Sequence, residues 1–151
     1  MATEATLSKY KQNTLKIIMV ALIGFAVYCI YDGFYNLKFI EKHTKDGVQD
    51  STLVFNIKSP PYLIGATVLI GVYFFAIRNK KIIADDNELI LEKQRIAYNS
   101  IEKIDKTNFD SKGYFFITYK DSQGNEKQLK ISDRTYDNLS AILDELIAKI
   151  S

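Results

Sequence analysis

Two apolar runs constrain this chain more than anything else in it. The first, LKIIMVALIGFAVYCIY from Leu15 to Tyr31, carries a single charge, Lys16, at its edge; the second, PYLIGATVLIGVYFFAI from Pro61 to Ile77, carries none. A helix that crosses a bilayer needs about 20 predominantly apolar residues, with a range of about 17–25. The first run reaches that length when extended to Tyr35 with Asp32 at the interface, and the second lies at the short end. Tyr10, Tyr31, Phe34 and Tyr35 flank the first run, and Tyr62, Tyr73, Phe74 and Phe75 sit near the ends of the second, where interfacial aromatics are expected. Ser59 before Pro60 and Pro61 predicts a helix start, with Ser59 as cap and proline in the first turn. A chain of 151 residues has too little remaining mass to wrap two such helices in a soluble core. A cleaved signal peptide does not fit the first run, because Asp32-Gly33-Phe34-Tyr35 follows it instead of a small-x-small cleavage site. The context AVYC around Cys29 likewise lacks the small residue of a lipoprotein signal.

Charge is segregated around these runs. Residues 1–81 hold 10 Lys/Arg and 5 Asp/Glu, whereas residues 82–151 hold 10 and 13, so a net +5 half precedes a net −3 half. The acidic second half argues against nucleic acid as a partner, since phosphate contacts need a dense basic face. Lys9, Lys11 and Lys16 precede the first span, and Arg78, Lys80 and Lys81 follow the second. Lys38, Lys42, Lys45 and Lys58 are spread more thinly between them. The bias predicts both termini in the cytoplasm and an extracytoplasmic loop over 36–60. The organisation expected is a two-span hairpin over 1–81, with spans at about 15–35 and 61–77, followed by a cytoplasmic domain over 82–151. The cluster Arg78, Lys80 and Lys81 is also the candidate contact for anionic lipid headgroups.

In the loop, Phe34, Leu37 and Ile40 recur at a spacing that continues the first helix, Asp46-Gly47 marks a turn, and TLVFNI is expected as a strand or a surface-lying segment. His43, the only histidine, has no cluster of ligating neighbours in sequence and is expected to be a solvated loop residue. Gly24, Gly65 and Gly71 are the places where the spans are expected to approach closely. Cys29, the only cysteine, is expected to be a small buried thiol.

From residue 82 the periodicity changes to short strands. KIIA and ELIL flank the turn Asp85-Asp86-Asn87; RIAY and SIEKIDK follow; GYFFITYK and EKQLKIS flank DSQGN. Leu139, Ile142, Leu143, Leu146, Ile147 and Ile150 then fall at helical spacing, with Asp133 as the expected cap. The fold class expected is thus a membrane helical hairpin joined to a small α+β domain, an antiparallel sheet or partial barrel with one C-terminal amphipathic helix. Phe115, Ile117, Tyr119, Leu129 and Ile131 should share its core with Leu139, Leu143 and Leu146.

The segment IIADDNELILEKQRIAYNSIEKID, with its acidic turn, Arg95, Tyr98 and the pair Ile101 and Ile104, resembles the bacterial pleckstrin-homology-like membrane proteins. In that family the aromatic before the isoleucine pair is often tryptophan; here it is Tyr98. The resemblance covers about Ile82 to Ile150 and implies a PH-like sheet domain behind two spans in a bacterial inner membrane.

Catalytic constellations are missing from the sequence. It contains no glycine-rich phosphate loop, no CxxC and no HExxH, and the single histidine cannot serve a hydrolytic triad. Asp85-Asp86 reads as turn chemistry and Asp32 as a helix meeting the headgroups, although an acid within a span is a functional candidate. No catalytic, cofactor or metal residues are therefore assigned. The function expected is a non-enzymatic scaffold or accessory subunit that docks other membrane proteins or a second copy of itself. A transport or channel protein is the alternative, but the first span carries no polar core residue between Ile17 and Tyr31. A lipid sensor needs a concave basic pocket, which the net-acidic half does not advertise. The strand GYFFITYK is apolar on both faces, so Tyr114 and Phe116, opposite Phe115 and Ile117, form the candidate partner surface.

Overall fold

A computed structural model describes residues 2–92 and 94–150. They form two compact units, one made of residues 1–12 with 77–151 and the other of residues 13–76.

Among the described residues, the sheet unit contains seven strands in two antiparallel sheets. Strand β1 (Thr3–Thr6), β4 (Lys81–Ala84), β5 (Glu88–Leu91) and β6 (Gln94–Ala97) form one sheet in that order. Strands β7 (Ile101–Asp105), β8 (Tyr114–Lys120) and β9 (Glu126–Ser132) form the other. Helix α5 (Leu139–Ile150) presents Leu139, Ile142, Leu143 and Leu146 to a single core shared with Ile82, Leu89, Ile96, Phe115, Ile117 and Ile131. The expected core is present, with Leu129 at its margin. Tyr98, in the short 3₁₀ turn between the sheets, donates its hydroxyl to the Asp85 carbonyl at 2.6 Å. Burial, with Glu145 and other acids nearby, pushes its phenol up to about 12.

The seventh strand has an unexpected source. Residues 3–6, counted from sequence with the hairpin, pair with β4 from Thr3 opposite Ala84 to Thr6 opposite Lys81. Ala5 and Leu7 are fully buried as a result. The segment 133–137, where the sequence suggested a helix start at Asp133, instead clasps this N-terminal strand. The Asp137 N–H donates to the Thr6 carbonyl and the Ser8 N–H to the Thr135 carbonyl, and Leu7 bridges Tyr136. Asn138 then takes a left-handed φ of 62°, so α5 starts only at Leu139.

Helix α1 (Lys9–Ile30) begins in this clasp. The Ser8 hydroxyl accepts from the Lys11 N–H at 3.2 Å, and the Asp137 carboxylate accepts from the Lys9 N–H at 3.0 Å. Two orphan amides of its first turn are thereby satisfied.

The helical unit continues α1 through a π-helical segment, Tyr31–Tyr35, into the short α2 (Leu37–Lys42). A two-residue ribbon, β2 (Thr44–Lys45) with β3 (Val48–Gln49), turns at Asp46-Gly47 as its positive φ angles require. Helix α3 (Ser51–Ile77) returns antiparallel to α1. Lys16 lies 5.9 Å from the Phe74 ring, and a β-carbon at Gly71 would meet Met19 at 3.8 Å. Both long helices, Lys9–Tyr35 and Ser51–Ile77, are long and apolar enough to cross a membrane. At about 1.5 Å per residue each is about 40 Å long, more than the ~30 Å hydrocarbon core. Large apolar side chains such as Val20, Leu69 and Val72 are exposed along them.

Two local expectations change here. TLVFNI is helical, because the Asp50 carboxylate caps α3 by accepting from the Leu53 N–H at 3.0 Å. Ser59 is consequently no cap, and Pro60 and Pro61 lie inside the helix. Neither proline has an N–H, so the carbonyls of Asn56 and Ile57 lose their intrahelical donors. The closest glycine contact occurs there, at Gly33; of the glycines expected, Gly71 makes an ordinary contact with Met19, whereas Gly24 and Gly65 make none. A β-carbon on Gly24 or Gly65 would meet nothing within 4 Å, whereas one on Gly33 would lie 3.1 Å from the Asn56 carbonyl carbon and oxygen.

Candidate functional site

The register of β8 against β9 builds the surface that sequence alternation singled out. Phe115, Ile117 and Tyr119 point into the core, while Tyr114, Phe116 and Thr118 are half-buried on the outer face. Phe116 pairs with Lys130 and Tyr114 with Ser132. The two rings meet edge-to-face with centroids 5.5 Å apart. The Lys130 ammonium sits 3.8 Å from the Tyr114 centroid and 6.0 Å from that of Phe116. This cation–π arrangement holds a charge over an aromatic platform, and the platform itself remains partly open to solvent. Lys130 is a participant that strand alternation alone did not single out; its position directly opposite Phe116 is the signal that finds it.

The basic cluster is divided among separate partners. Lys80 reaches Glu92 at 3.3 Å and Lys81 reaches Glu4 at 3.1 Å, the latter across the β1–β4 pair. Arg78 is exposed. Exposed ion pairs of this kind are worth little and exchange readily, so the pairing leaves these cations able to meet other anions.

A polar node in the helical unit was not legible in composition. Asp32 is 5% exposed and accepts from the Asn36 Nδ2 at 2.8 Å, and Asn56 is also 5% exposed. Asn36 in turn caps α2 by accepting from the Phe39 N–H at 3.2 Å. Asp32, expected where the helix meets the headgroups, is thus turned inward. The π-helical register does this, since it inserts an extra residue per turn and re-aims the side chains within it. The Gly33–Asn56 backbone contact lies beside Asp32 in sequence.

His43, expected to be solvated, is tied down at the other end of the loop. Its Nδ1 lies 2.6 Å from the Asp50 carboxylate, and its ring centroid 4.3 Å from that of Phe39. The Leu53 N–H and then His43 hold the Asp50 carboxyl below its ordinary range. Among the described residues, no group of three or more His, Cys, Asp or Glu side chains comes together to hold a metal ion.

The chemistry on offer at these places is contact chemistry: an aromatic platform with a cation, exposed apolar helix faces and a packed polar node. No family model, no curated protein and no solved structure matches the chain.

Proposed function

We propose that this chain is a non-enzymatic, membrane-anchored scaffold or accessory subunit of a PH-like kind. The helical unit sits in the bacterial inner membrane with both termini in the cytoplasm, and the sheet unit docks another membrane protein or a second copy. The observation that carries this reading is the outer face of β8, where Tyr114 and Phe116 stand side by side and half-buried beside Lys130. Aromatic residues held rigidly at a partly open surface are typical of interface centres. Support for the membrane location comes from the two long apolar helices, whose exposed Ile17, Val20, Leu69 and Val72 need an apolar environment. Support for the PH-like assignment comes from seven antiparallel strands in sheets of four and three with one C-terminal helix in their core. The basic flanks, Lys9 and Lys11 before one span and Arg78 after the other, favour the cytoplasmic side for both termini. Purifying the full chain in mild detergent with and without Tyr114 and Phe116 tests the reading, because docking through this face requires those rings.

A further inference from the structure

Several cations of the sheet unit are matched by carboxylates. Arg95 reaches Glu88, Lys120 reaches Glu102, Lys127 reaches Asp121 and Lys149 reaches Asp86, at 2.7–3.2 Å. Lys112, Lys130 and Arg134 come together in one place. Among the described residues none of them makes an ion pair, and all three line one pocket of about 300 Å³ with Tyr114, Ser111 and Ser132. Three like charges lining one pocket repel one another, an arrangement that a bound anion relieves.

The pocket stands on backbone that is fixed from several directions. Lys112 ends the short helix α4 (Phe109–Lys112), and Gly113 follows with a left-handed φ of 68°. The Asp133 N–H donates to the Gly113 carbonyl at 2.8 Å, which ties this turn to the end of β9. The Arg134 carbonyl accepts from the buried Ser8 hydroxyl at 2.8 Å, and the Arg134 N–H donates to the Ser132 hydroxyl at 3.3 Å. Lys130 is placed by the Tyr114 ring. Such preorganisation lowers the cost of binding a small charged group. The adjoining concavity shares Lys112 and Arg134 but also carries Asp110, Asp133 and Asp137, so an anion is favoured only on the Lys130 side.

We infer that this pocket binds a phosphomonoester group, with the Arg134 guanidinium and the Lys112 and Lys130 ammonium groups on its terminal oxygens and the Ser111 and Ser132 hydroxyls as further donors. Donors arriving from β9, from α4 and from the segment after β9 suit three terminal oxygens arranged about phosphorus. A planar carboxylate offers only two. The group belongs either to a lipid headgroup or to a soluble phosphate compound, and both present the same chemistry. The pocket shares Tyr114 and Lys130 with the docking face, but its anion chemistry does not depend on a partner being docked there.

The test is lysine footprinting by acetylation and mass spectrometry on the purified full chain. One arm adds inorganic phosphate to the protein in neutral detergent, against chloride at matched ionic strength. The other compares nanodiscs of phosphatidylcholine with nanodiscs that also contain phosphatidic acid. Saturating ligand should slow acetylation of Lys112 and Lys130 about tenfold when present at about ten times its dissociation constant, and leave the exposed Lys103 unchanged. Arg134→Gln should abolish that protection while the melting temperature holds. Protection in the phosphate arm assigns a soluble source, and protection by phosphatidic acid alone assigns a lipid headgroup. Absence of protection in both arms, equal protection of Lys103, or protection that survives Arg134→Gln overturns the inference.

Discussion

Gly33 lies flat against the Asn56 carbonyl, so that a β-carbon at position 33 would stand 3.1 Å from both its carbon and its oxygen. That carbonyl is the one from which Pro60, four residues on, withholds a hydrogen bond. The neighbour is backbone and cannot rotate aside. Gly33→Ala should therefore destabilise the hairpin by about 1–3 kcal/mol, as overpacking does. Gly24→Ala, which enters open space, should stay within about 0.5 kcal/mol of wild type. Denaturant titration of the full chain in micelles distinguishes them, and equal effects would remove Gly33 from the helix contact.

Leu143, 4% exposed, packs from α5 into the core that both sheets share. Leu143→Ala should cost about 2–5 kcal/mol. Amide hydrogen exchange in β8 of the full chain reads this directly, since the strand carries the fully buried Phe115 and Ile117. Unchanged protection in β8 would mean that α5 does not hold the sheets together.

Asp121 accepts from the Asn125 and Gln123 N–H groups, each at 2.9 Å, and pairs with Lys127 at 3.0 Å. The Asn125 N–H first, then Lys127, lowers its carboxyl from the ordinary 3.8 to about 2. A carboxyl depressed by folding stabilises the fold above its ordinary pKa and loses that effect as pH falls through the folded value. The difference in melting temperature between wild type and Asp121→Asn should be constant down to about pH 4 and shrink towards about pH 2. A difference that ignores pH across this range would show that the turn does not depend on the charge.

The hairpin orientation has its own test in a Cys29→Ala background. Val48→Cys, 70% exposed in the β2–β3 ribbon, should react with a membrane-impermeant thiol reagent on intact cells. Gln123→Cys, exposed in the β8–β9 turn, should react only after lysis. The reverse pattern would place the sheet unit outside.

Much of this architecture could be read from the residues alone, and the misses have physical causes. The two-residue strand period grouped Phe115, Ile117 and Tyr119 on one face, and helical spacing grouped Leu139, Leu143 and Leu146; both sets lie in the core. Strand β1 was missed because Thr3–Thr6 carries almost no apolar pattern of its own; it is a strand only because β4, more than 70 residues away in sequence, offers an edge. The α3 start was placed too late because Pro60-Pro61 is a strong local start signal, overridden by the Asp50 cap and by packing at Asn56. The gathering of Lys112, Lys130 and Arg134 was invisible for a similar reason, since each comes from a different element.

The most direct test of the central claim replaces Tyr114 and Phe116 together with Ser in the full chain. Hydrogen exchange in β8 and β9 would be measured alongside the membrane proteins, or second copies, that co-purify from gently solubilised membranes. A docking face predicts unchanged exchange protection and loss of the co-purifying chain. Retention of that chain at wild-type stoichiometry with the sheet intact would contradict the account, as would collapse of β8 protection, which would make the two rings part of the core.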